Sequence, residues 1–443
     1  MVKKLLIANR GEIARRVIRT CRQLGIATVA VYSDADMKAL HVAEADEAVR
    51  IGPAPVAQSY LQVEAILAAA RATGADAVHP GYGLLSENAD FAKDCVDAGL
   101  TFIGPPPAAI AAMGSKIEAR QVMRKAGVPV VPGSDGAVAD VEEALRLAVD
   151  MGYPVMLKAS AGGGGIGMQE VRDEQTLRRA FSANQARAKA YFGSSEMFLE
   201  KRIEAPRHIE IQVLFDRHGH GVYLGERECS IQRRHQKVVE EAPSSFMDED
   251  LLLRMGEAAL AAGRAIGYVN AGTVEFLVDA KRNFYFLEMN TRLQVEHPVT
   301  EFVTGLDLVA WQLRIASGES LEFSQSEVQR DGHAIEVRVY AEDPIKMLPS
   351  PGTITRLELP AGQGVRNDVG VEAGSEVTPY YDPMIGKLIV YAGTREEAIA
   401  KLTSALDDYV VEGIQTNLPL LQRIVSSSAF RAGETTTDFI NRL

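Results

Sequence analysis

The chain has 443 residues, 47% of them hydrophobic and 24% charged, and a formal net charge of −12. This length is enough for roughly two to three domains with a sizeable core, and the acidic balance excludes a general nucleic-acid binder while leaving room for a local basic pocket that takes an anion. No apolar stretch approaches membrane-spanning length, and the apolar run after Met1-Val2-Lys3-Lys4 is too short for a signal-peptide core, so no membrane partner and a cytoplasmic location are expected.

Residues 3–8 read as a buried strand, 11–24 as an amphipathic helix and 28–32 as the next strand. This βαβ opening predicts a parallel sheet with helices on its faces. The turn Asn9-Arg10-Gly11-Glu12 lacks the glycine spacing of a dinucleotide fingerprint, so no nicotinamide site is expected. A helix at 60–73, a strand at 75–79 and a short strand at 101–104 continue the pattern around the breaker-rich loop His79-Pro80-Gly81-Tyr82-Gly83. Pro105-Pro106-Pro107 marks the edge of this first unit. Lys116 follows Gly114-Ser115 and opens a helix to about residue 126. The Walker order of glycines and lysine is missing, and by itself Lys116 reads as a surface lysine. The widely spaced Cys21, Cys95 and Cys229 form neither a disulfide framework nor a zinc pattern and read as buried or inert thiols.

A second unit follows, with a helix at 141–150, a strand at 155–158, the glycine run 162–167 and a returning strand at 168–171. The bare N–H groups of a glycine loop can close over phosphate oxygens. Because strands hug both sides of it, a mobile phosphate lid is preferred here to a flexible linker. After a helix at 174–190, the strand 197–201 leaves the lid. Residues 208–214 alternate, with His208, Glu210 and Gln212 on one face. The stretch Gln232-Arg233-Arg234-His235-Gln236-Lys237 packs bases and amides together as an anion-binding cluster rather than a core segment, and a helix at 251–266 leads on from it.

Two apolar runs, 274–278 and 284–289, flank the polar loop 279–283 and predict a β-hairpin. If Val278 pairs near Tyr285, Glu275 falls opposite Glu288, with the two side chains roughly 5 Å apart. Two carboxylates that close repel each other unless a cation joins them or one keeps its proton, and hard oxygen ligands suit Mg²⁺. If the chain stays extended, Glu288, Asn290, Arg292, Gln294 and Glu296 all project from one face. A solvated edge strand has the same period; the pairing with Glu275 favours a site. A long helix at 304–316, a strand at 334–340 alternating Glu336, Arg338 and Tyr340 with apolar residues, and a helix at 395–410 complete an α+β C-terminal part.

Several motifs together resemble biotin carboxylase, the ATP-grasp component of biotin-dependent carboxylases. They are Asn9-Arg10-Gly11-Glu12-Ile13-Ala14, His79-Pro80-Gly81-Tyr82-Gly83, the 232–237 stretch, 288–298 and Tyr381-Asp382-Pro383-Met384-Ile385-Gly386-Lys387. The resemblance implies an α/β and α+β fold in three parts: an N-terminal parallel-sheet (pre-ATP-grasp) domain at 1–114, an ATP-grasp domain at 115–333 with a mobile glycine-rich lid at about 133–203, and a C-terminal biotin carboxylase domain at 334–443. It implies that Lys116 and Lys158 touch ATP phosphates beneath a lid that includes Gly163, Gly164 and Gly165. Glu200, Lys201 and Ile203 would hold the adenine, and His208, Gln232 and His235 would line the nucleotide pocket. Glu275 and Glu288, assisted by Asn290, would hold Mg²⁺, with Mn²⁺ as a substitute. Lys237, Arg292, Gln294 and the Val295 backbone would bind bicarbonate, Glu296 would be its general base, and Arg338 would stabilise the biotin enolate.

The implied reaction carboxylates biotin through carboxyphosphate, giving ADP and phosphate. No Ala-Met-Lys-Met biotinylation motif occurs in the sequence, so the expected partners are a biotin carboxyl carrier protein and a carboxyltransferase subunit, with a homodimer implied by the resemblance. The competing readings are an ATP-grasp ligase for another acid and a non-catalytic nucleotide-binding homologue. The first is opposed by Arg292, Gln294 and Glu296, the second by Glu275, Glu288, Arg292, Glu296 and Arg338. One departure from the family stands out: its lid usually carries a basic residue where this chain has Ile166, and often another where it has Gln169. Restoring charge with Ile166→Arg is predicted to lower the Michaelis constant for ATP; an unchanged constant in steady-state assays would sink the idea.

Overall fold

The structure, a computed structural model, describes residues 2–160 and 167–443, the Phe192 side chain aside. Three larger sheets carry the fold among these residues. The first is all parallel, in the order Glu47–Gly52, Ala27–Ser33, Lys4–Ile7, Ala77–His79, Thr101–Phe102. Leu5, Leu6 and Ile7 are fully buried at its centre, as a strand covered on both faces requires. The helix Gly11–Leu24 ends where Gly25 adopts a left-handed φ of 70°. The sequence reading missed the strand Glu47–Gly52 and the helix Ala89–Asp97. The strand is an edge with exposed Glu47, Ala48 and Arg50, so it lacks the apolar pattern that marks a buried strand.

The second sheet is antiparallel and runs Phe284–Asn290, Asn270–Val278, Arg207–Phe215, Gly221–Arg233, Gln236–Ala242, His333–Tyr340, Met384–Ala392, Val365–Val369. Ile209, Ile211, Val213, Phe276 and Phe286 face the helix Glu249–Ala265 in one apolar core. Further along, Ile335, Val337, Leu388 and Val390 pack with the helices Arg395–Asp408 and Leu418–Ser426. By the two-residue period, the opposite face carries Glu210, Gln212, Glu336, Arg338 and Lys387. Part of that polar face is covered by the helix His297–Thr304, whose Val299 and Val303 pack on Ala334 and Ile389. All eight residues of His333–Tyr340 are buried, so its alternation of polar and apolar residues marks two covered faces. The third sheet orders Met168–Val171, Val155–Ala159 and Met197–Lys201, with the helix Glu174–Phe192 packed on it.

Two expectations are corrected. The chain is not extended over 288–296: the strand stops at Asn290, and Glu296 (φ −83°, ψ 11°) stands at the N-terminus of the helix His297–Thr304. The helix expected at 304–316 begins only at Leu308 and runs to Ala316, and a separate helix, His297–Thr304, precedes it. They are separated at Gly305, which takes φ 70°, and Asp307 caps the second by accepting from the Ala310 N–H at 2.8 Å.

The buried Phe215 ring sits tightly between two glycines: a Cβ on Gly221 would come within 2.3 Å of it, and one on Gly263 within 2.4 Å. Gly263→Ala sets two effects against each other. Helix propensity favours alanine by about 1 kcal/mol, whereas overpacking costs about 1–3 kcal/mol. The variant is predicted to be destabilised on balance, read as a lower denaturation midpoint than the parent.

Candidate active site

The hairpin supplies the first part of the site. Val278 pairs with Phe284 rather than Tyr285, yet Glu275 still faces Glu288, because a bulge between Glu275 and Phe276 skips Leu287 on the partner strand. Register continues the row sideways, with Glu210 beside Glu275 and Arg227 beside Glu210. Charged residues of four neighbouring strands thus lie in one line, on a face that the apolar core does not use.

Two cations organise the row. Lys237 Nζ donates to Glu210 Oε2 at 2.6 Å, Glu275 Oε1 at 2.8 Å and Glu296 Oε1 at 2.7 Å. Burial works against the ammonium, but the three carboxylates outweigh it and hold Lys237 well above the usual lysine range. Arg227 is wholly buried. It donates from Nε to Glu210 at 2.5 Å, and from its terminal nitrogens to Gln212, Thr300, Thr273 and the Gln294 side chain at 2.7–3.1 Å.

Glu296 is held between Lys237 and Arg338, whose Nη2 donates to Glu296 Oε2 at 3.0 Å. Burial alone would raise its carboxyl; Lys237, Arg338 and Arg227 overcome this and keep it below the usual carboxylate range. Arg338 also donates from Nε to Glu240 at 2.6 Å. Glu240 is pushed up to about 7 by burial, with Arg338 opposing and Glu296 adding to the rise.

Glu275 Oε1 accepts from Asn290 Nδ2 and Gln294 Nε2, each at 2.7 Å, and His208 Nε2 lies 2.9 Å from Oε2. Burial pushes this carboxyl up, but Lys237 and His208 pull it well below its usual range. Its partner Glu288 goes the other way, raised by burial and by the charge of Glu275. A divalent cation between the two would remove that repulsion, so the pair fits a hard metal ion. The Asn290 oxygen accepts from Arg292 at 2.9 Å, so it faces the arginine in this arrangement; Arg292 also donates to Glu87 at 3.0 Å.

Among the remaining candidates, Glu200 accepts from Lys158, and from Arg120 beside it. Lys116 begins its helix with its N–H on the Ser160 carbonyl at 3.2 Å. Lys201 turns to the backbone, donating to the Gly152 carbonyl at 2.7 Å. His235 occupies a turn at φ 68°, and burial with Lys158 and Lys116 nearby lowers its proton affinity. Gln232 Nε2 donates to His208 Nδ1 at 2.8 Å, which joins this group to Glu275.

Every described candidate lines one cleft of about 770 Å³, with Ile203 and Val295 among its walls. Gly163, Gly164, Gly165 and Ile166 lie outside the described residues. Sequence reasoning missed Arg227, Glu240 and Glu87 and gave Glu210 no role. The alternating charges of Glu226-Arg227-Glu228, close after the apolar Val222-Tyr223-Leu224, were the available signal for Arg227. Glu87 carried none.

Comparison with known proteins places these residues in context. The family models for the biotin carboxylase N-terminal domain, the carbamoyl-phosphate synthase L chain ATP-binding domain and the biotin carboxylase C-terminal domain match residues 1–110, 115–324 and 336–442. A biotin carboxylase of Halalkalibacterium halodurans is 62% identical, over 99% of this chain and 97% of that one. The crystal structure of a biotin carboxylase–beta-gamma-ATP complex from Campylobacter jejuni superposes with a TM-score of 0.98 at 47% identity, covering 100% of this chain and 99% of that one. The biotin carboxylase domain dimer of Hydrogenobacter thermophilus 2-oxoglutarate carboxylase, in complex with MgADP, ADP and bicarbonate, gives 0.97 at 50% identity, covering 100% and 98%.

Because Arg227 and Glu210 are both fully buried, Arg227→Met is predicted to leave Glu210 with only the Lys237 ammonium that it shares with Glu275 and Glu296, and to cost up to about 3–5 kcal/mol. Adding Glu210→Gln should recover part of that loss. A double variant no more stable than the single one, measured by chemical denaturation, would contradict this account.

Proposed function

The chain belongs to the biotin carboxylase family, and from that premise we propose that it carboxylates biotin held on a separate carrier protein, using ATP and bicarbonate. The observation that carries this reading is the placement of Glu296: an ionised carboxylate bracketed by Lys237 and Arg338, beside the facing pair Glu275 and Glu288.

In this reading Lys237, Arg292, Gln294 and the Val295 backbone hold bicarbonate next to Glu296. Bicarbonate is a poor nucleophile, and Glu296 takes its proton as the oxygen attacks the γ-phosphorus of ATP and ADP leaves. The anion draws part of the Lys237 charge toward itself, which raises the proton affinity of Glu296 when a base is needed. Lys116 and Lys158 supply positive charge at the phosphates, with His208, Gln232 and His235 along the nucleotide and Glu200, Lys201 and Ile203 toward the adenine. Mg²⁺, or Mn²⁺ in its place, would be held by Glu275 and Glu288 with Asn290 and would neutralise charge on the transferring phosphoryl group. Carboxyphosphate then breaks to CO₂ and phosphate. The phosphate accepts the ureido proton of biotin, the nitrogen attacks CO₂, and Arg338 faces the oxygen that becomes anionic.

A carboxyltransferase on another chain would complete the pathway. A homodimer is part of the proposal, supported by the dimeric Hydrogenobacter domain. So is the division into domains at 1–114, 115–333 and 334–443. A cytoplasmic location is supported by three buried free cysteines, and no helix among the described residues is long and apolar enough to cross a membrane.

The test is phosphate release from ATP with Mg²⁺ and free biotin, with and without bicarbonate. Release is expected to require bicarbonate and to rise with biotin. Glu296→Gln should lower it by about 10²–10⁴-fold, the range for loss of a general base. Turnover indifferent to bicarbonate would point to another acid substrate.

A further inference from the structure

Lys387 lies on the strand Met384–Ala392 and is wholly buried, with Arg338 as its register partner on one side and Asp368 on the other. Burying an ammonium is costly unless partners replace its water, and a methionine would fill similar space without that penalty. Here Nζ donates to the Val295 carbonyl at 2.6 Å and lies 3.4 Å from Glu12 Oε1. Tyr82 donates to the same Glu12 carboxylate.

The Val295 carbonyl belongs to the turn between the strand Phe284–Asn290 and the helix His297–Thr304, outside any strand ladder. The carbonyl before it, on Gln294, is held by the His297 N–H at 3.3 Å, with His297 Nδ1 2.8 Å away. Lys387 holds the next one. A peptide unit is planar, so holding the Val295 carbonyl also sets the direction of the Glu296 N–H and the start of its side chain.

We propose that Lys387 is a positioning residue of the anion pocket: it clamps the peptide between Val295 and Glu296 while His297 holds the preceding peptide, so that the Val295 N–H and the Glu296 carboxylate address one bound anion. It acts through the main chain rather than by touching the anion. The inference rests on the reading of this pocket as the bicarbonate site.

The experiment measures phosphate release by the intact protein and its Lys387 variants, varying bicarbonate and ATP separately. Lys387→Met is expected to lose about 10²-fold in kcat/KM for bicarbonate, the scale of a misplaced reacting group. Its KM for ATP should stay within about twofold of the parent, because uniform damage to the fold would move both substrates together. Lys387→Arg, which keeps a cation able to donate to Val295, should recover most of the loss. If Lys387→Met does not fold, Lys387→Gln is read by the same split. A KM for ATP that rises along with the bicarbonate loss, or unchanged bicarbonate kinetics, overturns the positioning role and leaves the pocket reading standing. A parent protein that releases phosphate without regard to bicarbonate overturns the pocket reading and this inference with it.

Discussion

One ammonium group, that of Lys237, lies within 2.8 Å of three buried carboxylates, and those carboxylates come from three separate stretches of chain. Buried without a counter-charge, any one of them would be driven toward its neutral form. Glu210 and Glu275 arrive on neighbouring strands, and Glu296 arrives at the start of a helix. The site is therefore a charge-balance problem solved in three dimensions, and each element around it is constrained to deliver its charge to within hydrogen-bond reach of Nζ.

Arg227 performs the same task one layer deeper. Its five donors serve Glu210, Gln212, Thr273, Thr300 and Gln294, so the strand Gly221–Arg233 is tied to the turn that presents Glu296. Networks of this kind add little net stability once the desolvation of every ion is counted. Stability comes instead from the apolar side of the same sheet, where Phe215, Phe276 and Phe286 pack against the helix Glu249–Ala265. The two faces divide the work: one excludes water through hydrocarbon, the other fixes the positions of charges.

The division also explains how groups distant in the chain come to share a site. The strands Gln236–Ala242 and His333–Tyr340 are hydrogen-bonded neighbours, which sets Glu240 beside Glu336 and brings Arg338 within reach of Glu296. Strand period two then decides which residues face the charges. Covering that face with the helix His297–Thr304 turns it into an interior.

The sequence by itself determined the pattern-bearing parts: the helix at 11–24, the central parallel strands and the hairpin that carries Glu275 and Glu288. These follow from local periodicity and turn chemistry, which neighbouring residues encode. Motif resemblance named the cleft residues, and every described one lines the same cleft. The tertiary structure alone decided the rest. It ended the strand at Asn290, added the helix His297–Thr304 and inserted the bulge that rescued a register begun one residue away. It also chose the partners of the buried charges, such as Gln294 for Arg227 across 67 residues of chain and Val295 for Lys387 across 92. The strength of those pairings depends on distance and on exclusion of water, and neither exists until the sheet and its covering helix have come together.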